Sequence, residues 1–173
     1  MTPRRETKRA VLMNADVVGY SAMMARDATG TVEALLGSTR WLAGAVESFG
    51  GRVVDAPGDN LMAEFDREWA AIRCAMYVQW TEGWRNRHVP DHLRIRYRIG
   101  IEAGDVIDVH GRLYGNPVNV AARLQAQAEA GGVLVSAPVA ERCRPQLRGV
   151  SGTYGVHQLK NIPEPCPTLA LTV

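Results

Sequence analysis

The stretch from Gly50 to Phe65 constrains the fold more than any other. Gly50-Gly51 stops a long helical pattern, as glycine does at helix C-termini. Two short apolar runs follow, 52–56 and 60–65, around Pro57-Gly58-Asp59-Asn60. Runs of that length about a Pro-Gly turn predict a β-hairpin. Ahead of them, 9–16 reads as a buried strand. A helix is predicted from about Thr29 to Phe49, with Val32, Leu35, Leu36, Leu42 and Val46 on one side. A second helix is predicted from Trp69 to about Trp84, through Ile72, Ala75, Met76 and Trp80. Ile95–Glu102 and Val106–Val109 read as a strand pair around Gly104. The order β-α-β-β-α-β predicts an α+β fold with a ferredoxin-like core, an antiparallel sheet with helices packed on one face. Further on, Asn116–Glu129 reads as a helix stopped by Gly131-Gly132, Val133–Ser136 as a buried strand and Val139–Arg142 as a helix. Extra C-terminal strands are predicted at 154–159 and 168–173. Pro163, Pro165 and Pro167 break regular structure between them.

A length of 173 residues favours one domain with a full core. Residues 1–8 read as a basic leader and 9–173 as the domain. The net charge of +2 argues against a dedicated nucleic-acid binder. No apolar run approaches about 18 residues, so no membrane span is predicted. Cys74, Cys143 and Cys166 show neither a disulfide framework nor zinc spacing, Cys74 reads as core, and the expected compartment is cytoplasmic. His88, His92, His110 and His157 have no mutual spacing that suggests a metal site.

Two aspartates carry the chemistry. Asp16 ends the apolar run of the first strand in Val11-Leu12-Met13-Asn14-Ala15-Asp16-Val17-Val18-Gly19-Tyr20-Ser21, and Asp59 sits in the hairpin turn. If the fold brings these turns together, they form a hard-oxygen site for Mg²⁺ or Mn²⁺, suited to phosphoryl chemistry. Asp is also an ordinary turn residue. Gly19 would let backbone N–H groups approach phosphates, but Gly19 and Ser21 equally suit a plain turn and helix cap. Asn119 and Arg123 lie four apart on a predicted helix, hence on one face, as a solvent-facing polar stripe would.

These segments, with Arg94–Val106, Leu113–Leu124 and Gln158-Leu159-Lys160-Asn161-Ile162, resemble in order the catalytic domain of class III nucleotidyl (adenylate/guanylate) cyclases, over about residues 9–173. The resemblance implies conversion of a nucleoside triphosphate to a 3′,5′-cyclic nucleotide and pyrophosphate, with two metal ions, in a head-to-tail homodimer with shared sites. It implies Asp16 and Asp59 as metal ligands, with the Val17 carbonyl. Gly19, Tyr20 and Ser21 would lie at the triphosphate. Asn119 would orient the ribose, and Arg123 would stabilise charge at the α-phosphate. Arg98 and Lys160 match phosphate-binding positions, although an Arg in a strand and a Lys before a turn are commonly surface charges. Asn14 departs from the family, which more often has an aromatic or apolar residue there.

Base selection in this family rests on the position four before the second metal aspartate and the one seven before the asparagine. Adenylate cyclases usually carry Lys with Asp or Thr, guanylate cyclases Glu with Cys; here they are Asp55 and Arg112. Ionised Asp55 only accepts hydrogen bonds and Arg112 only donates. Guanine offers N–H donors to Asp55 and O6/N7 to Arg112; uracil and cytosine also offer both kinds of group. One wrong polar match costs about 1–3 kcal/mol, so ATP read in the usual way is disfavoured by ~10-fold or more. Class III cyclases of bacterial phage defence that make cyclic CMP or cyclic UMP also lack the purine-selecting pair, and this chain resembles that group. Mutual pairing of Asp55 and Arg112, or exposure to solvent, would leave selectivity lax. The other readings are an adenylate cyclase with non-standard base recognition and a catalytically silent nucleotide-binding or dimerisation module.

Overall fold

The computed structural model describes residues 5–173. The central strand β1 (Arg5–Val17) is flanked by β3 (Asn60–Phe65) and β4 (Tyr97–Val109), both antiparallel to it. With β2 (Arg52–Asp55) beyond β3, the order β2-β3-β1-β4 is the ferredoxin-like core. Strand β6 (Val133–Ser136) runs parallel to β4. Strands β8 (Cys166–Leu171) and β7 (Gly152–His157) complete the sheet, and β5 (Arg112–Tyr114) pairs with the end of β4. The expected leader overlaps β1: residues 5–8 are paired with Val106–Val109, and 1–4 lie outside the described residues.

Side chains alternate across a strand, and β1 uses both faces. Val11, Met13, Ala15 and Val17 point into the larger core, beneath α2 (Ala28–Ser48) and α3 (Glu68–Arg85). Ala10 and Leu12 point the other way, toward α4 (Asn116–Gln127) through Ala121. The core's own helices α2 and α3 share one face, as expected, and the later α4 covers the other. A glycine makes this possible. A Cβ on Gly100 would lie 2.2 Å from the Gln125 amide nitrogen and 2.5 Å from the Ala121 carbonyl. The backbone of α4 rests directly on β4 there.

Other departures have local causes. Gly104 is no turn: it pairs with Ala10 within one continuous β4, and its missing side chain makes room for Pro117. The turn comes at His110-Gly111, where both residues have positive φ (54° and 86°), as a two-residue hairpin loop requires. A short helix α1 (Tyr20–Arg26) precedes α2, and Asp27 between them caps α2 by accepting from the Gly30 N–H at 2.9 Å. Val32, Leu36 and Trp80 are exposed; buried Thr31 and Ser38 on α2, and Gln79 and Glu82 on α3, share the core faces instead. Those polar groups are mostly spent on partners. Gln79 donates to the carbonyls of Tyr97 and Gly132, and Glu82 accepts from Ser38. Pro167 lies inside β8, at an end where only β7 pairs with it, so no ladder bond on the β6 side is lost. The last helix, α5, spans Ala137–Arg142. No helix of the described residues is long and apolar enough to cross a membrane.

Candidate active site

The two aspartate turns meet at one end of β1. Asp16 is paired with Asn60 on one side and Arg98 on the other. The next residue, Val17, donates its backbone N–H to the Asp59 carbonyl at 3.2 Å. The hairpin turn is closed by the Asn60 N–H on the Pro57 carbonyl at 3.1 Å, with Gly58 at φ 61°. Burial pushes the Asp16 carboxyl above the usual aspartate range, and the Asp59 charge adds to it. The Asn60 amide, 3.4 Å from Asp16 Oδ1, and the Arg98 charge oppose that rise. Two carboxylates are thus held together at one sheet end. That donor set suits a hard divalent cation. Beside them, the Arg98 Nε–H is buried and has no partner among the described residues.

After β1 the chain turns sharply. Val18 donates to the Arg96 carbonyl at 2.8 Å, and Gly19 adopts left-handed φ 70°, which glycine takes without strain. Gly19 caps α1, leaving Gly19 and Ser21 exposed, while Tyr20 packs back on the larger core.

Asp55 and Arg112 line one cleft of about 260 Å³, with Asn14, Val54, Pro57, Asn60, Met62, Leu113, Tyr114 and Val118. A β-bulge places Asp55 there. Val53 faces Ala63 in register, but the next pairing is Asp55 with Met62, so Val54 is the extra residue. Strict alternation would have turned Asp55 to the opposite face. The carboxylate accepts from the Ala56 N–H at 3.0 Å, and no ion pair joins it to Arg112 among the described residues. The wall carrying Arg112 is tied to β2. Arg52 pairs with Glu64 and donates to the Gly111 carbonyl at 3.3 Å, while Lys8 bridges Glu64 at 2.6 Å and Asp108 at 3.1 Å.

Asn119 and Arg123 stand apart from this cluster. The buried stripe of α4, Val120, Ala121, Leu124 and Gln125, faces the sheet. That leaves Asn119 and Arg123 on the far side of the helix, exposed and half-buried respectively. Lys160 is also elsewhere. It is exposed in a turn closed by the Ile162 N–H on the Leu159 carbonyl, in a groove with Gln127. Among the described residues, no hydrogen bond or ion pair links Asn119, Arg123 or Lys160 to Asp16 or Asp59. The two aspartates and the Asn119–Arg123 pair are thus separate clusters on this chain. Sequence reasoning missed Asn60 as the link between Asp16 and the cleft. The signal was an asparagine where a buried strand calls for an apolar residue, at both 14 and 60.

Comparison with known proteins gives the family. The family model of the adenylate and guanylate cyclase catalytic domain matches residues 3–159. The protein named "Putative adenylate cyclase 3" of Rhizobium meliloti (strain 1021) is 35% identical over 159 residues, covering 90% of this chain and 27% of its own length. The chain thus spans about a quarter of that relative. Among solved structures, an adenylate/guanylate cyclase/hydrolase from Silicibacter pomeroyi is 34% identical with a TM-score of 0.90, covering 98% of this chain and 99% of that one. The adenylyl cyclase CyaB from P. aeruginosa shares the fold at 17% identity and a TM-score of 0.82, over 98% and 96% of the two chains. With the family model matching most of its length and a solved relative sharing its fold at 34% identity, this chain belongs to the adenylate and guanylate cyclase catalytic-domain family, the class III nucleotidyl cyclases.

Proposed function

We propose that this domain converts a nucleoside triphosphate into a 3′,5′-cyclic nucleotide and pyrophosphate for second-messenger signalling, as a metal-dependent head-to-tail homodimer. The observation that carries the reading is the meeting of Asp16 and Asp59 at one sheet end, beside an Arg98 N–H with no partner among the described residues. Asp16, Asp59 and the Val17 carbonyl would hold two Mg²⁺ or Mn²⁺ ions. Such a pair, when bound, activates the 3′-oxygen and neutralises charge on the attacking and leaving oxygens. The turn at Gly19, Tyr20 and Ser21 offers backbone N–H groups to the triphosphate, and Arg98 donates its Nε–H to a phosphate oxygen. Arg123 stabilises the negative charge that builds on the α-phosphate, Asn119 orients the ribose, and Lys160 pairs with the outer phosphates.

Two observations support a dimer. Asn119 and Arg123 lie on the side of α4 away from the sheet, with no hydrogen bond or ion pair to Asp16 or Asp59 among the described residues, which suits their serving a second copy's aspartates. Strand β7 is an edge strand exposed at every position from Gly152 to Val156, with Tyr154 at 64% and Val156 at 66% exposure. An uncovered apolar edge of this kind is what a partner copy would bury.

Asp55 and Arg112 share the cleft without pairing together, so both remain available to a base. Acceptor plus forked donor fits CTP, UTP or GTP better than ATP read by a lysine. The test is incubation of purified protein with Mn²⁺ and each of the four nucleoside triphosphates, with products identified by mass spectrometry. A cyclic monophosphate and pyrophosphate are expected, abolished by chelation. No cyclic product from any of the four would refute the reading, and equal use of ATP would refute the role given to Asp55 and Arg112.

A further inference from the structure

Asn14 interrupts the apolar face of a central strand. Ala10 and Leu12 precede it on that face, buried, and Asp16 follows. Its own exposure is 3%, and its cleft neighbours Val54, Met62, Leu113 and Val118 are apolar. An aliphatic side chain would pack there at no polar cost, since a buried amide needs partners. Asn14 has one. Its Nδ2 donates to Asn60 Oδ1 at 3.1 Å, and Asn60 Nδ2 donates back to Asn14 Oδ1 at 3.0 Å. Asn60 Nδ2 also lies 3.4 Å from Asp16 Oδ1.

An amide has two N–H donors and an oxygen with two lone pairs. The reciprocal exchange takes one donor and one lone pair from each residue, and the second N–H of Asn60 goes to Asp16. Asn14 retains one N–H and one lone pair, in a residue that lines the same cleft as Asp55 and Arg112. Locked by its partner, it cannot swap oxygen for nitrogen to suit a different base. A fixed donor and acceptor beside the cleft's apolar side chains discriminate strongly, because a mismatched base leaves a buried polar group unpaired.

We propose that Asn14 is a specificity-determining residue whose fixed amide hydrogen-bonds the polar edge of the substrate's nucleobase, with Asn60 as the positioning residue that orients it and joins it to Asp16. This rests on the cyclase reading and adds a third member to the base-reading set of Asp55 and Arg112.

The test measures binding of the α,β-methylene analogues of ATP, GTP, CTP and UTP, whose bridging carbon prevents loss of pyrophosphate. Calorimetry with Mn²⁺ compares wild type, Asn14→Ala and the double variant Asn14→Leu/Asn60→Leu, with turnover of the natural triphosphates run in parallel. The double variant keeps the branching and the number of side-chain heavy atoms and leaves no amide without its partner, so it guards against misfolding of the single one. The ratio between best and worst base cancels any effect on the phosphate end that all four share. Wild type should discriminate by about tenfold or more, and both variants should narrow that ratio by about tenfold. Ratios unchanged within about twofold in both variants, or a wild type that binds all four alike, would overturn the inference. If product still forms, the cyclase reading survives that result. If no analogue binds and no product forms, both fall.

Discussion

Replacing Gly100 with alanine tests how α4 is seated and what its seating is for. The added methyl would lie 2.2 Å from the Gln125 nitrogen, 2.5 Å from the Ala121 oxygen and 2.9 Å from the Gln125 Cα. All three are backbone atoms, so no flexible side chain can swing aside and the helix itself must move. Relief of contacts this short requires a shift of about 1 Å, a misplacement that costs about 100-fold when it moves reacting groups. Overpacking of a core costs about 1–3 kcal/mol. Because α4 carries Asn119 and Arg123, cyclic-nucleotide production should fall by about 100-fold while urea denaturation shows a loss of only about 1–3 kcal/mol. Gly44→Ala is the control. Gly44 is exposed on α2, and a methyl group added there would meet no atom within 4 Å. It should gain about 0.5–1 kcal/mol, the usual advantage of alanine over glycine inside a helix, with activity unchanged. A Gly100→Ala protein of full stability would refute the seating of α4. One that is destabilised yet fully active would refute the link between that seating and the chemistry.

Exchanging the base pair to the usual adenine arrangement, Asp55→Lys with Arg112→Asp, should move preference toward ATP by about tenfold or more. Steady-state rates on all four nucleotides check this, and an unmoved ratio would show that the two side chains do not read the base. The pH dependence of stability should carry a signature of Glu102. Burial raises its carboxyl above 4.5, with the Ala103 N–H, the Ser136 hydroxyl and the Arg9 charge opposing. The folded state therefore holds a proton that the unfolded chain releases. The stability this contributes is full below 4.5 and is lost as pH rises through the folded value. Denaturation midpoints of Glu102→Gln should lose that downward slope, and an identical slope in the variant would assign it to other groups.

Much of the fold was legible because its punctuation is chemical. Gly50-Gly51, Pro57-Gly58 and Gly131-Gly132 end or turn the elements they were expected to, and the ferredoxin-like order follows from them. Glycine misled where it serves packing. Gly104 and Gly100 make room for Pro117 and the α4 backbone, partners far away in sequence. The meeting of Asp16 and Asp59 was legible as two acidic turns after apolar runs. The orientation of Asp55 was not, since it depends on the bulge at Val54, which appears only when β2 is set against β3. Asn14 stood out in the sequence, but its meaning required Asn60, 46 positions away, to be placed beside it.

Asp16 with Asp59 lies at one sheet end and Asn119 with Arg123 on the outward side of α4, and the proposed homodimer would bring the two sets together between copies. Asp16→Ala and Arg123→Ala should each be inactive alone. Mixed in equal amounts, with heterodimers verified, they should regain activity, because one site of the mixed dimer carries both substitutions and the other neither. Heterodimers that form and make no cyclic nucleotide, from a protein whose wild type does, would contradict a site shared between two copies.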